Sequence, residues 1–157
     1  MKLQRLILTI AFALAAAAAV AAPPTSTEAA SMAAYKTVDI DDYAAKHRPV
    51  KEGTRTLLPP QYLLFDAHID QPPRTARTDY VRLAMSVMGI VDAPAIGHQM
   101  LLATPGGRRL PVYVEDTLVS LLTKAAAAQP DGQFQGYHIY TYSKGPAIVI
   151  SGYRPKR

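Results

Sequence analysis

The sequence predicts a mainly β protein of the α+β class, and three observations lead to this prediction. Short runs in which apolar and polar residues alternate indicate strands, and Pro and Gly at the ends of these runs indicate turns. The amphipathic segment 115–128 indicates a helix, and two more strands follow it. The predicted order is therefore a short helix, about four strands, a second helix and two strands.

The segment from Val38 to His47 predicts the short first helix. Asp39 or Asp41 can serve as its N-cap, because a carboxylate there accepts hydrogen bonds from free backbone N–H groups. Acidic residues in its first turn and basic residues in its last turn suit the helix dipole. Pro49 then prevents the helix from continuing.

Residues 54–58 and 61–69 have the pattern of extended strands, and Pro59 and Pro60 lie between them. Proline cannot donate a hydrogen bond to a neighbouring strand, so this pair predicts a bent or split strand. Residues 70–78 contain a second proline pair and two arginines, which predict a loop.

Residues 80–89 alternate between apolar and polar side chains, which predicts a half-buried strand. Residues 99–104 and 109–114 flank a Pro-Gly-Gly sequence at 105–107. Such a sequence between two strand-like runs is typical of a hairpin turn.

In the second helix, Leu118, Leu121, Leu122 and Ala125 have the spacing of a single helix face. We expect this face to pack on the core, with Leu121 in the middle of the buried stripe. Acidic residues at the start of the segment and a Pro-Asp-Gly sequence after it mark its two ends.

The second helix precedes two final strands at 135–142 and 147–153. This order resembles the OB-fold, in which one helix is inserted before the last two strands of a small barrel. The run from Val38 to Tyr43, followed by residues 51–53, also resembles the start of small secreted bacterial OB-like domains. The resemblance implies a five- or six-stranded antiparallel barrel. An open antiparallel sheet with the helix on one face is the alternative.

The first 21 residues have the features of a secretory signal peptide. Lys2 and Arg5 form a basic region, an apolar stretch follows, and Ala19-Val20-Ala21 fits the A-x-A cleavage pattern. An uncleaved membrane anchor is the alternative. We expect cleavage after residue 21 and a periplasmic or secreted protein with no stable membrane anchor.

Two further ranges complete the predicted organisation of the chain. Residues 22–34 are small and Ala-rich without apolar periodicity, which predicts a flexible leader. Residues 35–157 are expected to form a single β-rich globular domain, since their number suits one hydrophobic core.

Composition excludes several classes of function. The chain has no Cys, which excludes disulfides, thiolate catalysis, cysteine-ligated metals and attachment through an acylated Cys. Its formal net charge of +5 falls by two when Lys2 and Arg5 are removed. This mild excess does not favour nucleic-acid binding. No phosphate-binding loop or nucleophile motif is present, so we expect no cofactor.

A row of rings in the penultimate strand is the predicted binding surface. Tyrosine combines a flat apolar ring with a hydroxyl group, which suits stacking on a sugar, a base or a peptide. Nearby arginines can add contacts to an anionic group. The alternative is that the tyrosines only pack across the sheet, because they are common in strands. The candidate binding residues are His138, Tyr140, Tyr142, Arg82, Arg108 and Arg109.

Asp66, His68 and Asp70 are spaced by two residues, so an extended backbone places all three on one face. Carboxylate and imidazole groups together suit a divalent metal or acid–base chemistry. The alternative is a solvated polar face on a half-buried strand.

The sequence favours an exported binding module that recognises an envelope ligand or a partner protein and catalyses no reaction. One alternative is a metal-assisted or acid–base hydrolase that uses the Asp66, His68 and Asp70 row. The other is an envelope scaffold subunit, which an exposed apolar patch or an unpaired edge strand would indicate.

Overall fold

The computed structural model describes residues 35–90 and 92–156. Within these ranges the protein is mainly β, with six strands in one sheet and three α-helices, which confirms the predicted α+β class. The predicted signal peptide (1–21) and leader (22–34) lie outside the described residues. No helix in the described part is long and apolar enough to cross a membrane.

The strands are β1 (Lys36–Thr37), β2 (Thr56–Thr75), β3 (His98–Ala103), β4 (Arg109–Val114), β5 (Asp131–Tyr142) and β6 (Gly145–Pro155). The helices are α1 (Ile40–Lys46), α2 (Asp79–Val87) and α3 (Val119–Ala128), with a short 3-10 helix (Asp116–Leu118) before α3. The predicted hairpin of β3 and β4 and the two final strands are confirmed. Both final strands are longer than predicted.

The strand order is β1-β2-β3-β4-β6-β5, and β2 also pairs with β5. Each of the five strands β2 to β6 therefore pairs with two others of these five. The sequence predicted a wholly antiparallel sheet, but the sheet is mixed. Strand β1 pairs with β2 in parallel, and β4 pairs with β6 in parallel.

Strand β2 is continuous through its first proline pair. Its pairing with β5 shifts register between Leu57 and Gln61, so Pro59 and Pro60 bend the strand without ending it. The predicted loop at 70–78 is wrong over its first six residues, because β2 continues to Thr75. There β2 pairs with β3, and a second register shift accommodates the second proline pair.

Helix α1 confirms the predicted first helix and its cap. The Asp39 carboxylate accepts hydrogen bonds from the backbone N–H groups of Asp41 and Asp42 at 2.9 and 3.0 Å. The Asp41 carboxylate accepts one bond from the Thr104 hydroxyl at 2.6 Å and another from the Gly106 N–H at 2.7 Å. These bonds hold α1 against the turn between β3 and β4.

The predicted strand at 80–89 is wrong, because α2 occupies this segment. Val81, Ala84 and Met85 are buried at the i, i+3 and i+4 spacing of a helix. The alternating pattern was misleading because Leu83 and Val87 are apolar but lie on the exposed side of the helix.

Two buried clusters hold the fold together. The main core includes Leu63, Phe65, Met100, Leu102, Val112, Leu122, Phe134 and Ile150. The outer cluster packs α2 onto β5 and β6 and includes Val81, Met85, Ile96, Tyr137, Ile139, Tyr140 and Val149. Helix α2 therefore covers one outer surface of the sheet.

Helix α3 confirms the second predicted helix and its predicted buried face except at Leu121, because Leu118, Leu122 and Ala125 pack on the main core. Leu121 is 47% exposed, whereas its neighbour Leu122 is completely buried. Val119, Leu122 and Ala126 have an i, i+3, i+7 spacing of their own, and this stripe packs on the main core. The expectation that Leu121 is a core residue is therefore wrong.

Candidate functional site

The predicted binding face on β5 is not exposed. His138 has no exposed surface, Tyr140 is 2% exposed and Tyr142 is partly buried. Helix α2 covers Tyr140, with the ring centroid of Tyr80 4.7 Å from that of Tyr140 in an edge-on contact, whereas Tyr43 and His47 cover His138. A register shift between His138 and Tyr140 in the pairing with β6 also changes the predicted alternation of faces.

The three arginines predicted to assist this face are held by different carboxylates, which does not support a joint anion-binding rim. Arg82 lies on α2, whereas the other two lie at the β3–β4 turn. The ion pairs are Arg82–Asp79 at 2.7 Å, Arg108–Asp41 at 3.8 Å and Arg109–Asp70 at 3.3 Å.

Asp66, His68 and Asp70 lie on the same strand, as predicted, and the alternate residues Phe65, Ala67 and Ile69 are buried. Each polar group has a partner of its own: Asp66–Lys156 at 3.0 Å, His68–Asp131 at 2.9 Å and Asp70–Arg109 at 3.3 Å. In residues 35–90 and 92–156, no group of three or more His, Asp or Glu side chains is arranged to hold a metal ion. This geometry does not favour the metal alternative.

A cleft of about 800 Å³ lies between α1 and the neighbouring part of β2, and we call it the α1–β2 cleft. Charges of both signs line it, from Lys36 and Lys46 and from Asp39 and Asp42. Across the described part of the chain, no carboxylate lies within ion-pair distance of either lysine. Both ammonium groups are thus free to contact a ligand.

Aromatic rings form the rest of the wall of the α1–β2 cleft. Tyr62 on β2 is 44% exposed, and Tyr35 supports it in an edge-on contact with 5.4 Å between ring centroids. On the α1 side, Tyr43 and His47 are stacked with 4.1 Å between centroids. These rings offer apolar surface beside the charged groups.

A hydrogen-bond chain that runs from the wall of the α1–β2 cleft to buried residues of β5 supports this cleft. The Tyr43 hydroxyl lies 2.7 Å from Nδ1 of His138 and 2.6 Å from Oε1 of Gln61. Nε2 of His138 lies 2.9 Å from the carbonyl oxygen of Tyr140. A carbonyl oxygen can only accept, so Nε2 carries the ring proton and donates this hydrogen bond. Nδ1 of the neutral ring is then an acceptor, so the single Tyr43 proton faces two acceptors, this Nδ1 and Oε1 of Gln61. This chain connects α1, β2 and β5.

The surroundings of the His138 and Tyr43 rings keep both rings neutral near pH 7. The pKa of His138 is lowered to about 4, mainly by burial and next by the neighbouring His47, against the opposing effect of the bond to Tyr140. Burial raises the pKa of Tyr43 to about 12. Burial and the charge on Lys46 also lower the pKa of His47. Neither His138 nor Tyr43 is therefore poised to exchange a proton near pH 7.

A second cleft, of about 780 Å³, lies beside α2, and its charged groups are already paired. The Asp116 carboxylate there accepts bonds from His98 and from the Gly97 N–H, each at 2.8 Å. The hydrogen bond from His98, and next the bond from Gly97, lower the pKa of Asp116. Arg82 pairs with Asp79. The α1–β2 cleft is the stronger candidate because its lysines have no such partners.

Sequence reasoning missed the residues of the α1–β2 cleft. Tyr43 and His47 are four residues apart on α1, a spacing that places both on one helix face. That local signal could have identified the pair. Nothing in the sequence indicates that Tyr43 meets His138, which lies 95 residues away.

We compared the chain with protein-family models, with curated proteins and with solved structures. No family model, curated protein or solved structure matches it.

Proposed function

We propose that the protein is an exported, non-catalytic binding module whose ligand occupies the α1–β2 cleft. Export is inferred from the basic, apolar and A-x-A features of residues 1–21. The proposal includes an OB-like barrel. Each of the strands β2 to β6 pairs with two others of these five, which supports a barrel over an open sheet. Helix α3 precedes the last two strands, as the helix of an OB-fold does.

The ligand that suits this cleft best is a short peptide, or an extended protein segment, with charges of both signs. Lys36 and Lys46 can bind carboxylates, and Asp42 can bind an ammonium group. Tyr62 offers ring surface to an apolar side chain. The observation that carries the proposal is the presence of two unpaired lysines beside an exposed tyrosine in one cleft.

The chemistry of the cleft supports binding over catalysis. Proton transfer near pH 7 is most efficient from groups with a pKa near that value. The pKa values of His138 and Tyr43, about 4 and about 12, lie far from it in opposite directions. Their hydrogen bonds instead fix the position of α1 relative to β2 and β5, which preorganises the cleft.

Selection from a phage-displayed library of random heptapeptides tests this proposal. Peptides enriched on the protein should bind the Tyr62→Ala variant about 30-fold more weakly, since an exposed aromatic anchor contributes about 2 kcal/mol. Lys46→Ala should also weaken binding. Its matched control is Lys124→Ala on α3, which should bind like the original protein.

Failure to enrich any peptide, measured against an unrelated protein of similar charge, would contradict the proposal. So would peptides that bind the Tyr62→Ala and Lys46→Ala variants with unchanged affinity. The urea midpoint of each variant must match that of the original protein, so that lost binding is not lost folding.

A further inference from the structure

The outward face of α2 exposes an unusual amount of apolar surface. Leu83 is 56% exposed and Val87 is 64% exposed, and they lie one helical turn apart. Tyr80, partly exposed, lies on the same side of the helix. The opposite side, with Val81 and Met85, is buried against the sheet. Helix α2 thus has an apolar stripe on each side.

Arginines surround the exposed stripe. The guanidinium of Arg55 lies 4.1 Å from the ring centroid of Tyr80. Arg77 is exposed just before α2, and Arg82 is exposed on the helix. Asp79 is the single carboxylate on α2, and it pairs with Arg82 at 2.7 Å. The face is therefore apolar in the middle and positive around it.

This charge distribution selects among the possible occupants of the face. In a two-fold dimer through α2, the same surface of each copy would face the other and bring like charges together. An anionic partner instead gains from Arg55 and Arg77, whereas Arg82 is already paired with Asp79. The exposed side of the helix carries Leu83 and Val87, and an amphipathic helix with an exposed apolar face suits a lipid surface.

We propose that this face of α2 docks the protein on an anionic lipid surface. Leu83 and Val87 enter the boundary between headgroups and acyl chains, while the Tyr80 ring stays packed against Tyr140 at the edge of this face. Arg55 and Arg77 contact lipid phosphates. The attachment is peripheral and reversible, and it leaves the α1–β2 cleft free for its ligand.

Sedimentation with lipid vesicles tests this proposal on the exported protein, with its N-terminus identified by mass spectrometry. Vesicles containing phosphatidylglycerol should bind the protein, and pure phosphatidylcholine vesicles should bind it much more weakly. Arg77→Gln should weaken binding about five-fold, which is the contribution of one basic residue near an anionic surface. Raising the salt concentration should also weaken it.

The double variant Leu83→Ser, Val87→Ser should weaken vesicle binding about ten-fold or more, because both apolar contacts are lost. Leu121→Ser is the matched control, since Leu121 is also half exposed but lies on α3. It should bind like the original protein. Both variants should keep their urea midpoints, because all three positions are exposed.

Three results would overturn the proposal. The first is no binding to phosphatidylglycerol vesicles, and the second is equal binding to phosphatidylcholine vesicles. The third is a dimer, measured by light scattering, that becomes monomeric in the double variant, because the face would then be an interface between copies. None of these results bears on peptide binding in the α1–β2 cleft.

Discussion

Acidification should destabilise the protein through His138, a residue with no exposed surface. Its pKa is lowered to about 4, whereas the pKa of a histidine in the unfolded chain is 6.5. The folded state therefore favours the neutral ring. The stabilisation is complete above pH 6.5 and is lost as the pH falls from 6.5 toward 4, because the unfolded chain binds the proton first.

The gap between the two pKa values sets the size of the effect. One pH unit within this window costs about 1.4 kcal/mol, so the full loss is about 3 kcal/mol. That loss is a large part of the stability of a typical domain. Urea unfolding at closely spaced pH values between 7.5 and 4 measures it.

Two variants isolate the contribution of this ring. His138→Gln should lose most of the acid dependence in this window. His68→Gln, which changes an exposed histidine on β2, should retain it. A titration of the His138 ring by NMR in the original protein gives an independent value. Stability that does not change between pH 7 and pH 4.5, or equal slopes in both variants, would refute the reasoning.

Two predictions on packing follow from burial. Leu122→Ala should reduce the free energy of unfolding by about 2 to 5 kcal/mol, because its side chain is completely buried. The matched change Leu121→Ala, at an exposed position, should cost about 0.5 kcal/mol or less, and equal urea midpoints would contradict the described face of α3. Tyr140→Ala should cost about 3 to 5 kcal/mol, since the ring packs between β5 and α2. Near-native stability in that variant would show that the ring is not a core residue.

Elements with strong local signals could be predicted from the sequence. Asp39 caps α1 through bonds to residues two and three positions away, so the pattern is visible in a few residues. The hairpin of β3 and β4 also depends on a short turn sequence. In both cases the groups that interact are neighbours in the chain.

Elements that depend on distant contacts could not be predicted in this way. In α2, the apolar residues fit both a strand and a helix. Burial of Val81 and Met85 against β5 and β6 decides in favour of the helix. The same packing buries Tyr140, which sequence reasoning placed on a binding face. The α1–β2 cleft likewise depends on the contact between Tyr43 and His138, which are far apart in the sequence.

Chemical-shift mapping with a library-selected peptide tests the central claim most directly. The account predicts that the resonances of Lys46, His47 and Tyr62 change most during the titration, because these residues line the α1–β2 cleft. The resonances of α3 should remain unchanged. Changes confined to other surfaces, or no changes at saturating peptide, would contradict the assignment of this cleft as the ligand site.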